Sequence, residues 1–129
     1  MTYRSKTLIK PFDIFFAEVT TPYGKKRKHY YLCIYSQPYD FNNPLQNDVL
    51  ALVITTNQKY KKIDYNDYNA PILIGDKTVF VCCDKIIRLP MKDLELKQQK
   101  ITKEERSEIQ RKFLNFNKEL LRQIQIKEN

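Results

Sequence analysis

The residues best suited to chemistry stand between Gly24 and Ser36. After the glycine come Lys25, Lys26, Arg27, Lys28 and His29, followed at once by an aromatic, apolar run that ends at Ser36. Like charges at this spacing repel one another, and folds normally disperse them unless an anion sits among them. A solvated, lysine-rich loop is the plain alternative. Here the run abuts a segment with the composition of a core strand, so a rigid element would aim the charges. Phosphate is the anion that suits them.

The rest of the inventory narrows the chemistry. The chain holds two glycines and one histidine, and no G-x-S-x-G run. That excludes a glycine-rich phosphate cradle, a pair of histidine metal ligands and a two-histidine acid–base mechanism. Cys33, Cys82 and Cys83 form no C-x-x-C and read as buried thiols in a reducing compartment. Neighbours on a strand point to opposite faces, so Cys82 and Cys83 are poorly placed to share a metal. Neither metal nor cofactor is expected. RNA cleavage fits what remains, because RNA carries its own nucleophile, the 2′-hydroxyl. The protein need supply only a base, an acid and donors around the phosphorane. Arg, Lys, His and Thr side chains can do all three, and DNA, lacking that hydroxyl, would be spared. An imidazole, which titrates near ~6.5 in water, can act as either acid or base. Tyr23, Tyr30, Tyr31, Tyr39, Tyr60, Tyr65 and Tyr68 are available to stack on unpaired bases. Packing or simple exposure is the competing reading of each.

Elements to position these groups can be read in order. Residues 13–19 are aromatic and β-branched, as half-buried strands are, and Thr20-Thr21-Pro22-Tyr23-Gly24 reads as a turn. Residues 30–35 form a second strand, 49–55 a buried central strand, and 71–74 and 79–83 two more, with Gly75-Asp76 as a turn between them. Residues 84–89 either continue the last strand or bend out of it. Long polar stretches at 37–48 and 58–69 read as irregular loops, and 91–96 as a helical turn. Thr102 and Glu105 make a capping box. Beyond it Ile109, Phe113, Phe116, Leu120 and Ile124 recur at helical spacing, which predicts a helix over 103–124 with one apolar face turned to the core. Binding a partner is the other use for such a face. Strands followed by one terminal helix, with no β-α-β alternation, predict a mainly β, α+β domain: five to six strands in a small bent sheet closed toward a barrel, the helix plugging one side.

Composition sets the outer bounds. A chain of 129 residues with 42% hydrophobic content suits a single domain with a real core. A formal charge of +8 points to polyanionic partners: nucleic acid, a membrane surface or an acidic protein. Residues 1–10 carry charges and no apolar centre, and no apolar run approaches the roughly 18 residues of a span, so a cytoplasmic protein away from the membrane is expected.

The order of these segments resembles the MazF/PemK toxins of bacterial toxin–antitoxin systems, small ribonucleases of SH3-like barrel fold. Pro11-Phe12-Asp13-Ile14 is similar to the family's opening Gly-Asp and strand, with Phe12 where glycine is usual. Thr21-Pro22-Tyr23-Gly24 resembles its first turn, and residues 25–36 its Gly-x-Arg-Pro segment, apolar strand and Ser. Ile54-Thr55-Thr56-Asn57 resembles the Thr-rich end of its central strand, and Asp84-Lys85-Ile86 its Asp-Gln-Ile. In that family an arginine before the second strand and a threonine ending the third carry catalysis without metal. The resemblance carries Thr55 over directly. His29 falls at the arginine's place, Tyr30 at the proline's, and Arg27 stands two residues away. Strand alternation puts Arg27 and His29 on one face and Lys28 on the other.

The leading expectation is therefore a metal-independent endoribonuclease cutting single-stranded RNA to a 2′,3′-cyclic phosphate and a 5′-hydroxyl. His29, Arg27 and Thr55 would be catalytic, and Lys25, Lys26, Lys28, Tyr23, Thr56 and Asn57 would hold RNA. The resemblance implies a homodimer with RNA across its interface and a cognate antitoxin, acidic and partly disordered. Against it stand a non-catalytic barrel binding RNA or an acidic protein, and a gyrase poison of the CcdB type. The last is disfavoured because that family ends in a tail with tryptophan and this chain has none.

Overall fold

A computed structural model describes residues 9–20, 23–36, 48–56, 68–90, 94–97 and 99–128. They form six antiparallel strands and one helix: β1 (Ile14–Thr20), β2 (Lys26–Ser36), β3 (Asp48–Thr55), β4 (Asn69–Ile74), β5 (Lys77–Pro90), β6 (Glu95–Lys97) and α1 (Lys103–Glu128). The expected strands and terminal helix are present. Among the described residues the sheet runs β4-β5-β3-β2-β1-β6 and is not closed, with β4 and β6 as its edges. One expectation needs correction, and one left open is decided. Residues 95–97 pair with β1 as a short strand instead of completing a helical turn, while 91–93 lie outside the described residues. Residues 84–89 continue β5, across a register shift opposite Leu52 and Val53.

Alternation along the strands gives the sheet two apolar faces. Ile14, Leu32, Leu52, Ile72 and Val81 form one, and Ile109 of α1 seals it with Phe113 packed alongside. Phe15, Ala17, Tyr31, Cys33, Val49 and Ala51 form the other, and Leu94 and Leu96 pack against it where the chain reaches β6. All three cysteines are buried free thiols. As expected, Cys83 lies within the helix-side core while its neighbour Cys82 turns away.

Helix α1 starts at the predicted capping box: the Glu105 N–H donates to Thr102 Oγ1 (3.1 Å) and the Thr102 N–H to Glu105 Oε1 (2.9 Å). The other carboxylate oxygen of Glu105 accepts the Leu73 N–H at 2.7 Å, and the Gln99 amide bridges the Leu73 carbonyl and the Gly75 N–H. Side chains from the helix entry thus cover the outer edge of β4, which would otherwise offer an open ladder to another chain. The apolar stripe outruns the sheet it was expected to cover. Leu120 and Ile124 stand 42% and 49% exposed. Among the described residues no helix is long and apolar enough to cross a membrane.

Candidate functional site

The basic run belongs to a strand, not to a loop before one. β2 begins at Lys26 because β1 pairs with it from there: Thr20 lies opposite Lys26, Val19 opposite Arg27, Glu18 opposite Lys28 and Ala17 opposite His29. Strand alternation resolves the repulsion, since adjacent cations leave on opposite faces. The turn before it is set by Gly24, whose φ of +81° lies in the left-handed region that glycine enters without strain.

β2 and β3 are paired from Ser36 and Val49 to Tyr31 and Val53, and there the ladder stops. Beyond that pair β2 stays bonded to β1, while β3 stays bonded to β5 through Ile54 and Thr55. The two strands part, and a groove of about 630 Å³ opens between them. Arg27, Lys28, His29 and Tyr30 line it from β2; Val53, Ile54, Thr55 and Thr56 line it from the β3 side. Continuing the register past its last pair sets His29 opposite Thr55. Arg27, His29 and Thr55 share the face of Tyr31 and Val53, so the three expected catalytic residues meet at one groove. No carboxylate stands among its described lining residues.

The expected RNA-binding residues divide. Thr56 lines the groove, and Lys25, Lys26 and Tyr23 are exposed at the turn end of β2, Tyr23 at 91%. Lys28, on the opposite face from His29, reaches across β1 to Glu95, with Nζ 3.3 Å from the carboxylate. Both partners are more than half exposed, so the pair is weak and Lys28 can exchange it for a phosphate. Asn57 lies outside the described residues, as do Tyr39, Tyr60 and Tyr65.

Three other tyrosines pack against protein, Tyr30 while also lining the groove. Tyr30 meets Phe16 at a tilt with ring centroids 4.4 Å apart, Tyr68 meets Phe116 edge-on at 5.3 Å, and Tyr31 lies over Phe15 at 5.7 Å. Burial pushes the Tyr31 phenol up from its ordinary value, so it remains neutral. Val53 is a lining residue that sequence reasoning missed, because only the strand register puts it at the fork.

A strained residue stands at the other end of β1. Phe12 has φ +73°, a left-handed conformation that costs a residue with a Cβ about 1–2 kcal/mol. Its N–H donates to the Cys33 carbonyl at 2.7 Å, and the Arg106 guanidinium sits 4.7 Å above its ring. Those contacts hold the turn in place. Compared with known proteins, this chain matches no protein-family model and no curated sequence, so the geometry of the groove is what its function must be argued from.

Proposed function

We propose that this chain is a metal-independent endoribonuclease of MazF/PemK type, acting on single-stranded RNA in the cytoplasm as the toxin of a toxin–antitoxin pair. The observation that carries the reading is the fork between β2 and β3, where Arg27, His29 and Thr55 line one groove with no carboxylate among the described lining residues. A second observation supports the resemblance. Phe12 stands where that family has glycine, and the backbone there takes the left-handed turn that glycine favours.

The chemistry follows from the side chains. His29 removes the 2′-hydroxyl proton; the 2′-oxygen attacks phosphorus, and the bond to the 5′-oxygen breaks. Arg27 neutralises the charge that gathers on the phosphorane, and Thr55 donates a hydrogen bond to it. The products are a 2′,3′-cyclic phosphate and a 5′-hydroxyl, with the proton returned to the leaving oxygen. Lys25, Lys26 and Lys28 would track the flanking phosphates, and binding should weaken steeply with salt as counterions are released. On this reading the open sheet corresponds to an SH3-like barrel, two copies form the working unit, and an acidic antitoxin segment competes for the same cations.

Incubating the purified protein with single-stranded RNA in excess EDTA tests the proposal. Expected are fragments ending in cyclic phosphate, DNA left intact, and a loss of about 10²–10⁴-fold in rate for His29→Ala. Intact RNA, or cleavage that His29→Ala leaves untouched, overturns it. Salt-sensitive binding without products would identify a non-catalytic RNA-binding module.

A further inference from the structure

Packing around His29 assigns a role to a residue that does not line the groove. Tyr31 belongs to the last paired position before β2 and β3 separate, directly opposite Val53. It is 4% exposed, so it is a buried element of the fork and not a contact surface. Its ring lies nearly parallel to Phe15, its neighbour across β1, at 5.7 Å and 25°. Two residues along the same face, the His29 imidazole lies with its centroid 6.4 Å from that of Tyr31, tilted by 57°. Aromatic pairs within this separation attract, and tilted or offset geometries are preferred.

The neighbouring position on β1 completes the arrangement. Opposite His29 stands Ala17, small and 4% exposed, which leaves room for the imidazole where a larger residue would push it outward. Three aromatic rings thus run in series from the core to the groove: Phe15, Tyr31, His29. The first two are buried, and close packing around them restricts the third.

We propose that Tyr31 is the positioning residue of this groove: paired with both Phe15 and His29, its ring holds the imidazole on the side where β3 brings Thr55. What the imidazole then does rests on the ribonuclease reading; where it sits does not. The hydroxyl plays no part, so a phenyl ring at this position serves as well.

The chain has a single histidine, which gives an unambiguous NMR signal for the test. If Tyr31 holds the imidazole, its ring current should displace the His29 Cε1–H resonance. Tyr31→Leu should move that resonance toward its value in an unstructured peptide, and lower kcat on RNA by up to about 10²-fold, the order expected when a reacting group shifts by an ångström. KM should change little. Tyr31→Phe, which keeps the ring, should restore both. Should Tyr31→Leu fail to fold, Ala17→Val crowds the imidazole from β1 and should displace the same resonance. An unmoved resonance in the variant that folds overturns the assignment, as does a Tyr31→Phe spectrum altered as much as that of Tyr31→Leu. If the wild-type protein cuts no RNA, the ribonuclease reading fails, while the resonance still decides the role of Tyr31.

Discussion

Glu105 carries a quantitative test of how the helix is tied to the sheet. Its two carboxylate oxygens serve different elements: Oε1 accepts the Thr102 N–H at the helix start, and Oε2 accepts the Leu73 N–H on the edge of β4. Glu105→Ala removes both. The reciprocal cap contributes about 1 kcal/mol, the typical cost of losing such a partner. The hydrogen bond to Leu73 has a charged acceptor, but this edge is exposed and water can replace it, so about 1 kcal/mol is again appropriate. The sum, about 2 kcal/mol, corresponds to a fall of roughly 6–10 °C in Tm for a domain of this size. Glu105→Gln gives a finer discrimination, because an amide has only one acceptor oxygen and would turn an NH2 group toward the other donor. It should fall between wild type and Glu105→Ala, close to Thr102→Ala, which loses only the hydroxyl arm of the box. Urea and thermal unfolding followed by circular dichroism would rank the four proteins. A Glu105→Ala variant within about 0.5 kcal/mol of wild type, the range of an ordinary surface substitution, would refute the account.

Two more outcomes follow from groups placed by the fold. Burial pushes the thiols of Cys33 and Cys83 up to about 12. Above about pH 9 the unfolded chain releases these protons and the folded one keeps them, so this stabilisation is complete below pH 9 and is lost as pH rises toward 12, at up to about 1.4 kcal/mol per pH unit for each thiol. Urea midpoints between pH 8 and about 10.5 should fall, and Cys83→Ala should show the shallower decline; identical slopes would contradict the assignment. At Phe12, glycine relieves a left-handed backbone that alanine does not, so Phe12→Gly should be the more stable of the two by about 1 kcal/mol, with equal stabilities counting against strain there.

Much of this architecture was legible from residue types because it follows local rules. The helix start was written in Thr102 and Glu105, whose side chains satisfy backbone groups three residues away. Its core face was written in the spacing of Ile109, Phe113 and Phe116. The strands at 14–20 and 48–55 announced themselves by β-branched and aromatic runs. β6 did not, since three residues are too few to show a period. Nor could spacing show where the sheet ends beneath α1, so Leu120 and Ile124 read as core although they project past it.

The groove depends on both levels. Arg27 and His29 were identifiable from their types and from strand parity, which is a property of the chain itself, and Thr55 from the resemblance in the order of segments. That they stand at one opening was decided by register: the β2–β3 ladder closes at Tyr31 and Val53, and each strand then follows a different neighbour. Charge and alternation are fixed by the order of residues. The point at which two strands part is set by the competing pull of β1 and β5 on either side, a balance among segments that no local stretch contains.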